Sequence, residues 1–268
     1  MRTTIYYFTG TGNCLMVSRD IASKMKDAAI VSIAKAVKEE DYQVNSECIG
    51  FVLPVYYWGI PLIAAKFIEK LDLTNVRYIF AVATFGGSAG DALGQVSRLL
   101  KKKGASLASG FKILLPENYI PVYNPTEPKE QERQFKEEKR KIDKIVRIVN
   151  EQKDTGIEKG PKEYLKFLSP VVYKRSNKFY KDGKKFWTKD NCNSCGSCEL
   201  VCPVDNIEMQ HGRPKWKDSC EQCLACIQWC PKQAIEFGRS TSKRKRYRNP
   251  EVTIKDIIDS SKTSGTQK

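Results

Sequence analysis

Histidine is nearly absent from this 268-residue chain: the single one, His211, stands beside Gly212 between two cysteine runs and reads as a solvated turn residue rather than a ligand. Long apolar runs are missing too. The longest uncharged stretch, residues 48–65, contains Pro54, Gly59 and Pro61 and falls short of the roughly 20 residues a spanning helix needs, so no membrane segment is expected. Residues 1–8 lead into glycines rather than a cleavage site, so no export is expected, and a disulfide framework, which needs an oxidising compartment, is disfavoured with it. Two phosphate motifs are also absent. No Walker lysine follows the first loop, and Gly-x-Gly-x-x-Gly fails because Gly10-Thr11-Gly12 precedes Asn13, Cys14 and Leu15. Acidic residues are in deficit, 31 against 46 basic, for a net charge of +15. The surplus gathers in residues 111–190 and 239–268, while 191–238 is slightly acidic, so the charge steers encounters rather than making a site.

What the chain has instead is cysteine. Eight of its ten form two copies of one pattern: Cys192, Cys195, Cys198 and Cys202 before Pro203, then Cys220, Cys223, Cys226 and Cys230 before Pro231. The copies keep a constant offset that continues through Ile207/Ile235 and Glu208/Glu236, so two half-modules are expected about a pseudo-twofold axis. Zinc sites use ligand pairs with a longer gap, whereas a run of four ending in Cys-Pro is an iron-sulfur signature. Three closely spaced thiolates wrap one cubane and leave its fourth iron corner open; proline turns the chain away after the fourth cysteine. The stretch resembles the two-cluster bacterial ferredoxins. That resemblance implies 4Fe-4S clusters with crossed ligands, Cys192, Cys195, Cys198 and Cys230 on one and Cys220, Cys223, Cys226 and Cys202 on the other. Cys14 and Cys48 read as buried apolar residues.

The remaining length calls for a second domain, N-terminal to the cysteines, and 41% hydrophobic with 29% charged residues suits a globular one. Residues 3–8 are β-branched and aromatic, a strand running straight into Thr9-Gly10-Thr11-Gly12-Asn13-Cys14. Cys14, Val17, Ile21 and Met25 then recur at helical spacing. A strand, a glycine- and hydroxyl-rich turn and a helix N-terminus form a phosphate-binding arrangement; the bland alternative is an empty glycine turn. Residues 29–32, 48–53, 77–84 and 112–115 supply further strands, and 128–152 a helix with Ile142, Ile145, Val146 and Val149 on one stripe. The expectation is a doubly wound α/β fold with five parallel strands. Two more loops emerge at strand ends, where open sheets bind ligands: Pro54-Val55-Tyr56-Tyr57-Trp58-Gly59, and Thr84-Phe85-Gly86-Gly87 continuing to Gly90. Three consecutive aromatics suit stacking on a flat ring, or else core packing or a surface patch.

The first loop resembles that of the flavodoxins, with Thr9, Thr11, Gly12 and Asn13 matching and Cys14 in place of the family's last threonine. The resemblance implies a flavodoxin-like sheet whose three loops cradle flavin mononucleotide, with the Gly59 carbonyl able to turn toward the flavin N5 proton. Losing one hydroxyl donor to a phosphate costs roughly 1.5 to 3 kcal/mol unless another donor substitutes.

As a whole the chain resembles the flavodoxin-ferredoxin fusion proteins of anaerobic bacteria. The division expected is a flavin domain at 1–155, a helical connector at 156–185, a small α+β two-cluster ferredoxin domain at 186–238 and a basic tail at 239–268. In the connector, Tyr164, Leu165, Leu168 and Val172 make a docking stripe; Phe186, Trp187, Trp216 and Trp229 fill the small module's core. The tail's basic run, residues 242–248, reads as solvated, since no nucleic-acid motif accompanies it. The resemblance implies a protein passing electrons between two 4Fe-4S clusters and bound FMN; reduced thiolates suggest a cytoplasmic location, the basic linker and tail an acidic redox partner, and neither nucleic acid nor membrane is expected. A flavin-dependent reductase of a quinone or nitro compound is the second reading, and an anion-binding protein with an empty flavodoxin-like domain the third.

Overall fold

A computed structural model describes residues 1–160, 166–176 and 183–263. Strands and helices alternate from the start: β1 (Thr3–Tyr7), α1 (Asn13–Ser23), β2 (Ala28–Ser32), α2 (Ile33–Lys38), β3 (Cys48–Pro54), α3 (Leu62–Lys70), β4 (Tyr78–Phe85), α4 (Ala92–Lys102), β5 (Ser109–Leu114) and α5 (Pro128–Asn150). All pairings in this sheet are parallel, and β6 (Gly156–Ile157) adds a two-residue edge beside Ser109 and Gly110. The order β2-β1-β3-β4-β5-β6 contains the doubly wound 2-1-3-4-5 arrangement, with its switch point between β1 and β3. The expected five strands are therefore extended by one, because the chain after α5 turns back along β5.

Side-chain alternation along the strands divides the core. Ile5, Tyr7, Val52, Phe80 and Val82 face α1 and α5, while Tyr6, Phe8, Phe51, Ala81 and Ala83 face α2, α3 and α4. Gly50 is small because the ring of Phe80, its register partner on β4, covers it.

Beyond the sheet lie α6 (Ser169–Ser176), β7 (Phe186–Thr188), α7 (Ser197–Leu200), β8 (Ile207–Gln210), β9 (Arg213–Trp216), α8 (Ala225–Gln228) and β10 (Ile235–Phe237). β7 pairs with β10 and β8 with β9, both antiparallel. Tyr164 and Leu165 of the expected docking stripe lie outside the described residues. Of its described members Leu168 is 56% exposed and Val172 half-buried, and beside them Tyr173 reaches the sheet domain, its hydroxyl donating to Ile60 O at 2.8 Å. Phe186 stacks on Trp216 at 5.2 Å, Trp187 is exposed, and His211 stands exposed in the β8–β9 turn. Trp229 leaves the small module's core altogether and is buried against the sheet domain.

Residues 239–263 correct the reading of a solvated tail. Tyr247, Asn249, Val252 and Ile257 are buried, and α9 (Ile254–Ser261) starts at a capping box between Thr253 and Asp256. Within the basic run, Arg246 meets Glu236 at 2.8 Å with both side chains buried and Arg244 donates to Ile120 O, whereas Lys243, Lys245 and Arg248 stay exposed, Arg248 over the Trp229 ring. The segment is a strap. It runs from the cysteine module across α1 and ends with Ser260 Oγ hydrogen-bonded to Tyr7 Oη at 2.7 Å.

One carboxyl in the core opposes folding. Glu138 on α5 is 1% exposed, and burial, with the Asp20 carboxylate next, pushes its pKa above 4.5; Lys139 acts the other way. A raised carboxyl resists ionising only when folded, so stability falls as pH rises from 4.5 to about 8, by at most about 1.4 kcal/mol per pH unit, and levels off above. Thermal unfolding from pH 5 to about 8 should show this slope in the wild type and a flatter one in Glu138→Gln. Parallel slopes would remove Glu138 as the cause.

Candidate functional site

The carboxyl ends of β1, β3, β4 and β5 open on one cavity of about 670 Å³. Its first wall is the loop after β1. Gly12 has φ 102 and donates its N–H to Thr9 Oγ1 at 3.0 Å, and Asn118 Nδ2 donates to Thr11 Oγ1 at 3.1 Å. Both threonine oxygens thus accept bonds and keep their own protons to donate. Among the described residues no acceptor meets the N–H groups of Thr11, Asn13 or Cys14, so donors converge where α1 begins, which suits an anion. Asn13 and Cys14 offer backbone here rather than side chains. Asn13 Oδ1 accepts from Tyr247 Oη at 2.7 Å and Asn249 Nδ2 at 3.1 Å. Cys14 Sγ turns to Thr84 Oγ1 at 3.2 Å, and burial pushes its thiol up to about 12.

The second wall is the aromatic loop. Tyr56 and Gly59 exchange both backbone hydrogen bonds at 2.9 Å, with Tyr57 at φ 51 and Trp58 at φ 65 between them. Bulky residues in the left-handed region are strained, and such strain gathers at functional loops. Here Tyr57 Oη and Tyr119 Oη bond at 2.7 Å, and Asp91 N–H bonds the Trp58 carbonyl at 3.0 Å. Gly59 does not line the cavity. Its N–H and C=O are both held by Tyr56, and the Tyr173 ring occupies the place of a Cβ, so the expected turn of the Gly59 carbonyl toward a ligand would have to break the loop.

Thr84, Phe85, Gly86 and Gly87 form the third wall, with Gly86 small because a Cβ there would stand 2.7 Å from Glu117 Oε2. Of the expected residues, Gly12, Gly59 and Gly90 lie off the lining. Gly90 gives way to Trp58 instead.

Two walls were not expected. The loop after β5 brings Glu117, Asn118 and Tyr119, with Glu117 Oε1 accepting the N–H groups of Asn118 and Tyr119 at 3.0 and 2.9 Å. Its signal was its position: it follows a strand of the same sheet and carries Pro116 and Tyr119, as the aromatic loop carries Pro54 and Tyr56. The other wall is Gln222, Cys223 and Leu224 from the cysteine module. Cys223 also explains Gly10. A Cβ on Gly10 would collide with the Cys223 carbonyl, and one on Gly12 would press at 2.9 Å on both Asn249 and Val252.

The cysteines themselves line two small cavities. Cys192, Cys195, Cys198 and Cys230 surround one, with Met209 and Ile235; Cys202, Cys220, Cys223 and Cys226 surround the other, with Phe186 and Leu224. The two repeats match in backbone as in spacing: Ser194 and Gln222, Gly196 and Leu224, Asp205 and Gln233 are left-handed pairs at corresponding positions. N–H groups aim at sulfur equally, Asn206 to Cys202 at 3.2 Å and Ala234 to Cys230 at 3.3 Å. All ten cysteines are free thiols. In each set the four thiols border an enclosed space rather than meeting at a point. That donor set fits an iron-sulfur cube. Burial pushes the Cys198 thiol up to about 12 and those of Cys223 and Cys226 well above 9, so a metal bound there would have to displace thiol protons.

The family described as "4Fe-4S binding domain" matches residues 186–208. No curated protein matches the chain. Among solved structures it is similar to a flavodoxin from the domain Archaea, at 19% identity over 56% of this chain and 99% of that one, TM-score 0.38. It is also similar to the flavodoxin of Megasphaera elsdenii, at 19% identity over 42% and 85%, TM-score 0.35. Rubredoxin oxygen:oxidoreductase from Desulfovibrio gigas matches at 16% over 56% of this chain but only 36% of its own length, TM-score 0.37. At such scores these likenesses add nothing to the strand order described above. No helix among the described residues is long and apolar enough to cross a membrane.

The glycines separate two demands. Gly10→Ala should destabilise the protein by about 1 to 3 kcal/mol through overpacking against Cys223. Gly87→Ala, whose Cβ would meet only Glu117 Oε2 at 3.8 Å, should leave unfolding almost unchanged. Denaturation midpoints that shift equally would show that the Gly10 junction is not tight.

Proposed function

We propose that this protein transfers electrons between FMN, held in the 670 Å³ cavity, and two 4Fe-4S clusters, held by the crossed cysteine sets. The observation that carries the reading is a shared wall: Cys223 and Leu224 line both the large cavity and the cavity of Cys202, Cys220 and Cys226. When bound, the flavin supplies one- and two-electron chemistry and the clusters one-electron steps. Thr9, Thr11 and the open amides before α1 would hold the phosphate, offsetting the donor that Cys14 withholds. Tyr56, Tyr57 and Trp58 would cover the ring, and the Cys223 side would bring the nearer cluster against it. The farther set includes Cys195, which is exposed, and so would meet the partner. Two of the tail's cations, Arg244 and Arg246, are engaged within the fold, which disfavours an anion-binding role for that part of the tail.

Rapid mixing with a one-electron reductant tests the relay. Cluster bleaching should be followed by flavin reduction at a rate independent of protein concentration. In Cys202→Ala, iron analysis and paramagnetic resonance should show loss of the cluster bound by Cys220, and internal transfer should stop. A rate that scales with concentration would sink the relay, and loss confined to the cluster of Cys192 would sink the crossed ligation.

The partner we propose is an acidic redox protein, because the net charge is +15 and opposite fields raise association by about 10-fold or more. Reduction by an acidic ferredoxin should therefore slow as ionic strength rises. A rate insensitive to salt contradicts the electrostatic part.

A further inference from the structure

The first loop of the large cavity does little to hold its own shape. Between Thr9 and the start of α1 its internal hydrogen bond is the one from Gly12 N–H to Thr9 Oγ1. Its backbone carbonyls are instead held from the other module and from the strap. Trp229 Nε1 donates to Gly10 O at 2.9 Å, and Asn249 N–H donates to Thr11 O at 2.9 Å. Gln228 Nε2 donates to Asn118 O at 3.0 Å, and Asn118 in turn donates to Thr11 Oγ1. The Cys223 carbonyl sits directly on Gly10. Trp229 is 3% exposed and lies one residue before Cys230, just after α8, whose Cys226 lines the nearer cysteine cavity.

Trp229, Gln228 and Cys223 belong to a module whose small core is built around two cysteine-lined cavities. In a small module organised around metal ligands, binding of the metal and ordering of the residues beside those ligands are coupled, so metal loading and the placement of Trp229, Gln228 and Cys223 go together. We infer that loading of the cluster beside Cys223 shapes the flavin phosphate loop, with Trp229 as the positioning residue, so that flavin binding and retention of that cluster favour one another. The inference rests on the FMN and cluster reading above. Its physical basis is preorganisation: a loop already fixed in its binding shape loses less freedom when the ligand arrives. Linkage then requires reciprocity, since whatever the cluster does for flavin affinity the flavin does for the cluster.

The test uses cluster-loaded protein under anaerobic conditions, titrated with FMN as wild type and as Trp229→Phe. Phenylalanine keeps the buried ring and leaves the Gly10 carbonyl unbonded, so affinity should fall on the order of tenfold while both clusters keep their paramagnetic resonance signatures. A chelator challenge supplies the reciprocal reading. Saturating FMN should slow iron loss from the cluster beside Cys223 in the wild type, leave the other cluster's loss rate unchanged, and give no protection in Trp229→Phe. Equal FMN affinity in the two proteins, or protection of both clusters alike, overturns the inference while leaving the flavin reading intact. If Trp229→Phe fails to assemble, the wild type decides alone: FMN that binds yet leaves the loss rate of the Cys223 cluster unchanged overturns it. Loaded wild type that binds no FMN at millimolar concentration overturns the flavin reading, and this inference with it.

Discussion

The contact between Gly10 and the Cys223 carbonyl is the constraint around which both halves of the molecule are arranged. It fixes how near the cysteine module can approach the end of β1, and it leaves no room for any side chain at position 10. Around it the indole of Trp229 and the strap at Asn249 supply the hydrogen bonds that a buried junction of backbone groups requires. The apolar part follows suit: Val201, Ala225 and Trp229 join the same core cluster as α1 and α5. The interface is therefore continuous with the interior of the sheet domain.

Charge takes a different role from the one its composition suggests. Glu236, fully buried, is compensated by Arg246 at 2.8 Å and by Lys189 at 2.7 Å, and its repeat mate Glu208 is exposed with no such burial. Two corresponding positions of the repeat thus serve different ends, because only one of them lies under the strap. An ion pair so buried is costly to break, since removing Arg246 would strand the carboxylate in a poorly polarisable interior. The basic run at 242–248 is accordingly a stretch of structural connections as much as a source of positive field.

What could be read from the sequence was local. The cysteine runs were readable because three of the four thiols around each cavity recur with two residues between them in the chain, and the loops at 9–14, 54–59 and 84–87 because strand, turn and helix periods mark where a parallel sheet opens. The rest depended on partners distant in sequence. Gly10, Gly12, Gly59 and Gly90 all read as members of the ligand loops, yet each makes room for protein: Cys223, Asn249, Tyr173 and Trp58. Burial of Tyr247 and Asn249 could not be inferred from a basic, polar segment, because what buries them is Asn13, some 230 residues away. The loop at 116–119 went unread for a smaller reason: it has no glycine and no run of aromatics to mark it.

The cysteine module has a wet end and a dry end. Cys195 is exposed, whereas the cavity of Cys202, Cys220, Cys223 and Cys226 is walled by Phe186, Val204, Ile207 and Leu224 and backed by the sheet domain. Adding an electron adds negative charge, and an apolar, dry wall opposes that more than water does. N–H groups aimed at the sulfurs work in the opposite sense, and the dry set has them at Cys202 and at Cys220, the latter from Gln222 at 3.3 Å. The same Gln222 lines the large cavity, so one residue touches the electrostatics of both proposed redox sites. Gln222, Cys223 and Leu224 thus both close the junction and line or hydrogen-bond the dry set, so a change in how the two parts meet would also alter the potential step between the proposed redox sites.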